Sequence, residues 1–161
     1  MKRIAMDAFY FAGFGTTTKN EKEMTDEAII PQLWSRFYSE QISEQITNKK
    51  ENTVLAVYTD YKTDVNGQYL FLIGHQLESN VSQEERIVVK KIPASTYLVF
   101  TSQRGPISEI VPKLWQDIWA YFETSTEVRT YTGDFERYDE RAANPNDAIV
   151  DIYVAIQDTT A

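Results

Sequence analysis

The chain has 161 residues, 42% of them hydrophobic and 25% charged, enough to bury one sizeable core and too apolar for a disordered polymer. A net charge of −8 opposes binding to nucleic acid or an anionic membrane, which would need clustered Lys and Arg. The lack of cysteine excludes disulfides, thiolate metal sites and cysteine nucleophiles, and without a spanning apolar run or signal-peptide pattern the expectation is one soluble, cytoplasmic domain.

In chain order, Ala8 to Phe14 reads as a buried strand ending near Gly15, followed by a polar loop from Thr16 to Asp26 and a helix over about 27–46. Thr53–Tyr61 and Gln68–Leu77 are rich in β-formers, with Asn66-Gly67 between them as a hairpin signal. Glu78 to Glu85 has linker character near the midpoint. Arg86–Lys91 and Thr96–Thr101 are strand-like, Gly105-Pro106 breaks the chain before a helix at about 108–124, and Val128–Tyr138 and Ala148–Gln157 complete the strands.

The order strand, helix, strand, strand thus occurs twice, and the helices carry the clearest trace of it. Ile29-Ile30-Pro31-Gln32-Leu33-Trp34 returns 81 residues later as Ile110-Val111-Pro112-Lys113-Leu114-Trp115. Apolar residues at 29, 30, 33, 34, 37, 38 and at 110, 111, 114, 115, 118, 119, 122 form amphipathic stripes. Pro31 and Pro112 are expected in or beside the first helical turn, where a missing N–H costs least. One such unit leaves its sheet face half covered, so two should associate. The expected fold is α+β, a tandem pseudo-two-fold repeat with an antiparallel sheet and two helices, and half-repeats of about 1–80 and 81–161.

Chemistry concentrates in Asp134-Phe135-Glu136-Arg137-Tyr138-Asp139-Glu140, which holds four carboxylates. On a strand, Asp134, Glu136 and Tyr138 share one face. That face either meets water as a charged edge strand or turns Glu136 inward beneath the helix aromatics. A buried, unpaired carboxylate would raise its pKa or await a cation. Trp34, Trp115 and Trp119 lie on the helix stripes, where they serve the core or line a pocket for a flat or quaternary cation. His75 stands alone on a strand with no nucleophile constellation. The chain carries no phosphate-binding glycine loop and no metal-ligand spacing, so neither cofactor nor metal is expected.

The ordered segments Val57-Tyr58-Thr59-Asp60-Tyr61, Gly67 to Gly74, Tyr97 to Phe100, Gly105-Pro106, Trp115-Gln116-Asp117-Ile118-Trp119, Asp134 to Tyr138 and Val150 to Val154 resemble the GyrI-like small-molecule-binding family. That family includes effector-binding domains of AraC- and MerR-type regulators and stand-alone integron-cassette drug binders. The resemblance implies a multidrug-type pocket between two halves, with a carboxylate at its base and aromatic walls. By position the carboxylate is Glu136, and Trp115, Trp119, Trp34, Tyr58 and Tyr153 join it as ligand-binding residues. The chain departs from the family at Val154-Ala155-Ile156, where a central proline is frequent. The expectation is an effector domain alone, monomeric or homodimeric, that binds cationic or flat aromatic small molecules without direct nucleic-acid or membrane contact. Family resemblance leaves two alternatives open: a hydrolase of cyclopropane-containing natural products with Glu136 activating water, and a protein-interaction module of gyrase-inhibitor type.

Overall fold

The computed structural model describes residues 1–64 and 66–158. In chain order the strands and helices are β1 (Lys2–Met6), β2 (Phe9–Lys19), α1 (Asn20–Glu23), α2 (Ile30–Ser39), α3 (Ile42–Gln45), β3 (Val54–Thr59), β4 (Gln68–Gln76), β5 (Val88–Ile92), β6 (Ser95–Thr101), α4 (Ile107–Thr124), β7 (Asp134–Tyr138) and β8 (Asp151–Ile156). The eight strands form one antiparallel sheet in the order β1-β6-β8-β7-β3-β4-β2-β5. The two principal helices, α2 and α4, pack on one face of it. Among the described residues no helix is long and apolar enough to cross a membrane.

The strand order is symmetric about its middle. Units β2-α2-β3-β4 and β6-α4-β7-β8 meet where β3 pairs with β7. Along one rung of the sheet, Ala56 faces Glu136 across that junction. Outward from Ala56 come Ile73 and then Phe14, and outward from Glu136 come Ile152 and then Phe100. The rung therefore reads Phe-Ile-Ala on one side of a pseudo-two-fold axis and Phe-Ile-Glu on the other. The α+β tandem repeat expected from the helix hexamers is present. The outer strands are exchanged, because β1 pairs with β6 of the second unit and β5 with β2 of the first.

Each helix buries the stripe that its spacing demands. Leu33 and Phe37 of α2, and Ile110, Leu114, Trp115 and Ile118 of α4, are buried against the sheet. No side-chain cap comes from Ile29 at the start of α2. Instead the carboxylate of Glu23 accepts from the backbone N–H groups of Ile29 and Ile30 at 3.0–3.2 Å, placing negative charge at the positive helix end.

The sheet's opposite face closes on itself. Phe9 on β2 lies three strands from Phe135 on β7 and well off its rung, which runs through Val57 and Leu72 to Gly15, so a flat sheet would hold them more than about 14 Å apart, yet their ring centroids are 5.8 Å apart. The curl buries Phe11, Leu55, Val57, Leu72 and Tyr97 in a second core. Gly13 and Gly74 face each other across β2 and β4, and a Cβ on Gly74 would collide with the Ala12 carbonyl. Only glycine permits that close approach.

Several boundaries differ from the sequence reading. β1 was not anticipated; Lys2-Arg3-Ile4-Ala5-Met6 becomes a strand by pairing with β6. The loop expected at 16–26 is shorter, since Thr16–Lys19 extends β2 along Phe71–Gln68. The helix expected over 27–46 is divided by Gln41, whose φ of 53° is left-handed. Pro112 lies inside α4, in its second turn, because the helix already starts at Ile107. Val128–Tyr138 is a strand only from Asp134: Tyr131, with φ of 55°, interrupts the extended course, and Arg129 makes just an isolated bridge to Ile156.

Candidate functional site

A cavity of about 1040 Å³ opens between α2 and α4 above the β3–β7 junction. That is at the upper end of the roughly 300–1,000 Å³ typical of small-molecule sites. One wall carries Pro31, Trp34, Tyr38 and Tyr138; the other carries Pro112, Trp115, Trp119 and Tyr58. Trp34 meets Tyr138 edge-on at 4.9 Å and 72°, and Trp115 meets Tyr58 edge-on at 5.2 Å and 69°. One turn along each helix, Tyr38 packs on Trp34 at 6.1 Å and Trp119 on Trp115 at 6.2 Å. The hexamer repeat thus reappears as two matching aromatic walls. Tyr38 is largely exposed at the mouth, as is Met24.

Glu136 forms part of the cavity lining at the axis, 2% exposed. Tyr58 Oη and Trp115 Nε1 donate to its Oε2 at 2.6 and 2.7 Å, and Tyr138 Oη donates to Oε1 at 2.6 Å. The two tyrosines are themselves related by the repeat: Tyr58 lies two residues beyond Ala56, and Tyr138 two beyond Glu136. The small Ala56 side chain leaves the axis to a single carboxylate. Burial pushes the Glu136 carboxyl above its ordinary value, and the three donors only partly offset this. Burial and then the charge of Glu136 hold Tyr58 and Tyr138 well above the usual phenol range, so both remain O–H donors. Among the described residues Glu136 has hydrogen-bond donors but no ion-pair partner.

Asp134, two residues earlier and fully buried, is served differently. Arg129 Nη2 donates to its Oδ2 at 2.8 Å, Tyr61 Oη to the same atom at 2.6 Å, and the Ala155 backbone N–H to Oδ1 at 2.7 Å. The Arg129 guanidinium also lies 4.4 Å from the centroid of the Tyr131 ring. This charge is neutralised within the protein.

Of the residues singled out in the sequence, Glu136, Trp115, Trp119, Trp34 and Tyr58 come together around the cavity. Tyr153 does not. Strand alternation sends it to the opposite face, where its ring stacks on Phe135 at 4.5 Å, while Ile152 and Val154 face α4. His75 is a buried strand residue away from the cavity lining, hydrogen-bonded to Ser43 Oγ and the Thr53 carbonyl. Tyr138 lines the cavity as well and was not among the residues singled out, although its two-residue spacing from Glu136 was a usable signal. Nothing in the sequence marked Ala56.

Residues 4–156 match the family Cass2, integron-associated effector binding protein. The chain is 40% identical over 153 residues to YobU of Bacillus subtilis, a protein with a provisional name as a transcriptional regulator, covering 94% of each chain. It is 29% identical over 130 residues to the transcriptional regulator BrlR of Pseudomonas aeruginosa, covering 79% of this chain but only 46% of BrlR. An integron cassette protein from the mobile metagenome of Vibrio cholerae has a similar structure, with TM-score 0.74, 27% identity and coverage of 97% of this chain and 95% of the other. The fold also matches SAV2435, solved bound to tetraphenylphosphonium, with TM-score 0.75, 17% identity and coverage of 97% and 93%.

Proposed function

The chain belongs to the integron-associated effector-binding family, and on that premise we propose that residues 1–161, as one effector-binding domain with half-repeats of about 1–80 and 81–161, bind cationic or flat aromatic small molecules between α2 and α4. One observation carries the reading: a buried carboxylate lines an aromatic cavity, held by three neutral donors with no ion-pair partner among the described residues. Burying an ionised carboxylate costs several kcal/mol, and each hydrogen bond to it returns only about 1.5–3 kcal/mol. A ligand cation supplies the missing counter-charge. Each aromatic face that it meets adds about 0.5–2 kcal/mol. The lipophilic cation bound to SAV2435, a protein of the same fold, is of the chemistry expected.

A hydrolytic role would use the same Glu136 as a general base, which its raised pKa would suit. The hydrogen bonds favour binding. Of about four lone-pair positions on the carboxylate, Tyr58, Trp115 and Tyr138 take three. A counter-charge acts whatever its lone pairs hold, whereas a base depends on the one position left and needs it aimed at a water poised against the ligand's electrophilic carbon.

The test is a tryptophan-fluorescence titration with tetraphenylphosphonium and a rhodamine dye, beside neutral triphenylphosphine oxide, on the wild-type protein and Glu136→Gln. Micromolar quenching by the cations that Glu136→Gln selectively weakens is the expected result. Equal loss for cations and the neutral ligand would show that Glu136 shapes the cavity without supplying charge. Mass spectrometry on incubations with cyclopropane-bearing alkylators should show no turnover, and Glu136-dependent ring opening would replace binding with hydrolysis.

A further inference from the structure

The cavity's symmetry points to the shape of its ligand. Two equivalent walls face each other, Trp34 with Tyr138 and Trp115 with Tyr58, in nearly the same edge-on geometry. Each is extended by one more ring at the mouth, Tyr38 or Trp119. At the axis the charge is not duplicated, although Glu23 and Arg129 also border the cavity. Ala56 occupies the position related to Glu136, and the two face each other across the junction, so the one carboxylate lies at the axis and takes a tyrosine from each side. A ligand that satisfies charge and both walls at once has its positive centre between two aromatic arms.

We propose that this site selects cations whose charge sits at the centre of a two-fold-symmetric aromatic framework over isomers with the charge at one end. The proposal rests on the reading of Glu136 as the cation's counter-charge. An end-charged isomer set over Glu136 directs all its aromatic surface to one wall. The facing wall then stays in contact with water, and apolar surface that a central cation would cover remains exposed. The preference therefore comes from geometry, since the two isomers carry the same charge and the same number of rings.

Dibenzyldimethylammonium and (biphenyl-4-ylmethyl)trimethylammonium test this, because they are isomers of one composition. Isothermal titration of the wild-type protein with each should show the dibenzyl cation binding about tenfold tighter or more, as expected for one additional buried phenyl face. Trp34→Ala and Trp119→Ala, each checked for a native circular-dichroism spectrum, should both weaken the dibenzyl cation, whereas the end-charged isomer should respond to one of them only. The comparison of isomers on the wild-type chain stands even if a tryptophan variant does not fold. Glu136→Gln is titrated with both ligands to separate the two ideas. Equal affinities, or a preference for the end-charged isomer, with Glu136→Gln still weakening both, would overturn the symmetry proposal and leave the counter-charge reading intact. Binding that ignores Glu136→Gln, or no binding of either isomer, would overturn both.

Discussion

Asp134 and Glu136 are two buried carboxylates on one strand, two residues apart, and their surroundings give them different work. Asp134 has a guanidinium at 2.8 Å, a phenol and a backbone N–H, so its charge is matched inside the fold. Glu136 has two phenols and an indole, all neutral, and it borders a cavity. The first is a structural tie between β7, β8 and the segment carrying Arg129. The second is hydrogen-bonded by neutral donors alone and, among the described residues, has no ion-pair partner. Burial is common to both carboxylates; the identity of the donors distinguishes them.

The largest effect that would sharpen this contrast is on stability. Asp134→Asn leaves Arg129 buried without its anion and should cost about 3–5 kcal/mol of unfolding free energy in urea, while preserving the preference for cationic over neutral ligands. A loss of that preference with stability unchanged would mean that Asp134 reads the ligand. Glu136→Gln should behave in the opposite way. Cation affinity falls by about 2–4 kcal/mol, as for truncating one partner of a buried charge pair, but the urea midpoint does not fall, since the ionised form is the costly one in the ligand-free protein.

Acid should reproduce part of that loss. With its pKa raised in the folded state, Glu136 holds more protons folded than unfolded between the ordinary value near 4.3 and the folded one. Its contribution to ligand-free stability therefore decreases as pH rises through this window. Cation binding has the reverse dependence, weakening as pH falls through the folded value. Titrations from pH 4 to 8 should show that slope for tetraphenylphosphonium on the wild type and a flat profile on Glu136→Gln; matching slopes would assign the proton elsewhere. The smallest effect is expected for Tyr138→Phe. Deleting one donor to the carboxylate removes about 1.5 kcal/mol from the ionised form and should move the binding profile roughly one pH unit upward. No movement would show that Tyr138 packs against Trp34 without tuning Glu136.

Much of the site was legible because periodicity is local. The 81-residue hexamer repeat located both helices and placed Trp34, Trp115 and Trp119 on their inner stripes. Alternation along 134–138 put Glu136 and Tyr138 on one face, and the family-like segments selected which face turns inward. The same alternation places Tyr153 opposite Ile152 and Val154, and combining the strand pattern with the inward direction of those two would have removed it from the ligand set. Tyr131 and Gln41 broke the expected strand and helix through left-handed backbone that no pattern of side-chain polarity reports.

By itself the sequence determined the two helix stripes, the doubled order of elements and the chemical character of the cavity, since each depends on residues within a few positions of one another. Tertiary structure alone decided that β1 and β5 exchange units, that Ala56 faces Glu136, that Tyr58 joins Tyr138 on one carboxylate, and that Arg129 matches Asp134 while no cation matches Glu136 among the described residues. Apart from the Arg129–Asp134 and Tyr138–Glu136 pairs, whose partners are close in the chain, these contacts join residues in different halves of the sequence, as Gly13 with Val88 and Tyr58 with Glu136. Their register is fixed by how two curved half-sheets pack, a balance of burial and hydrogen bonding over the whole core that no local window contains.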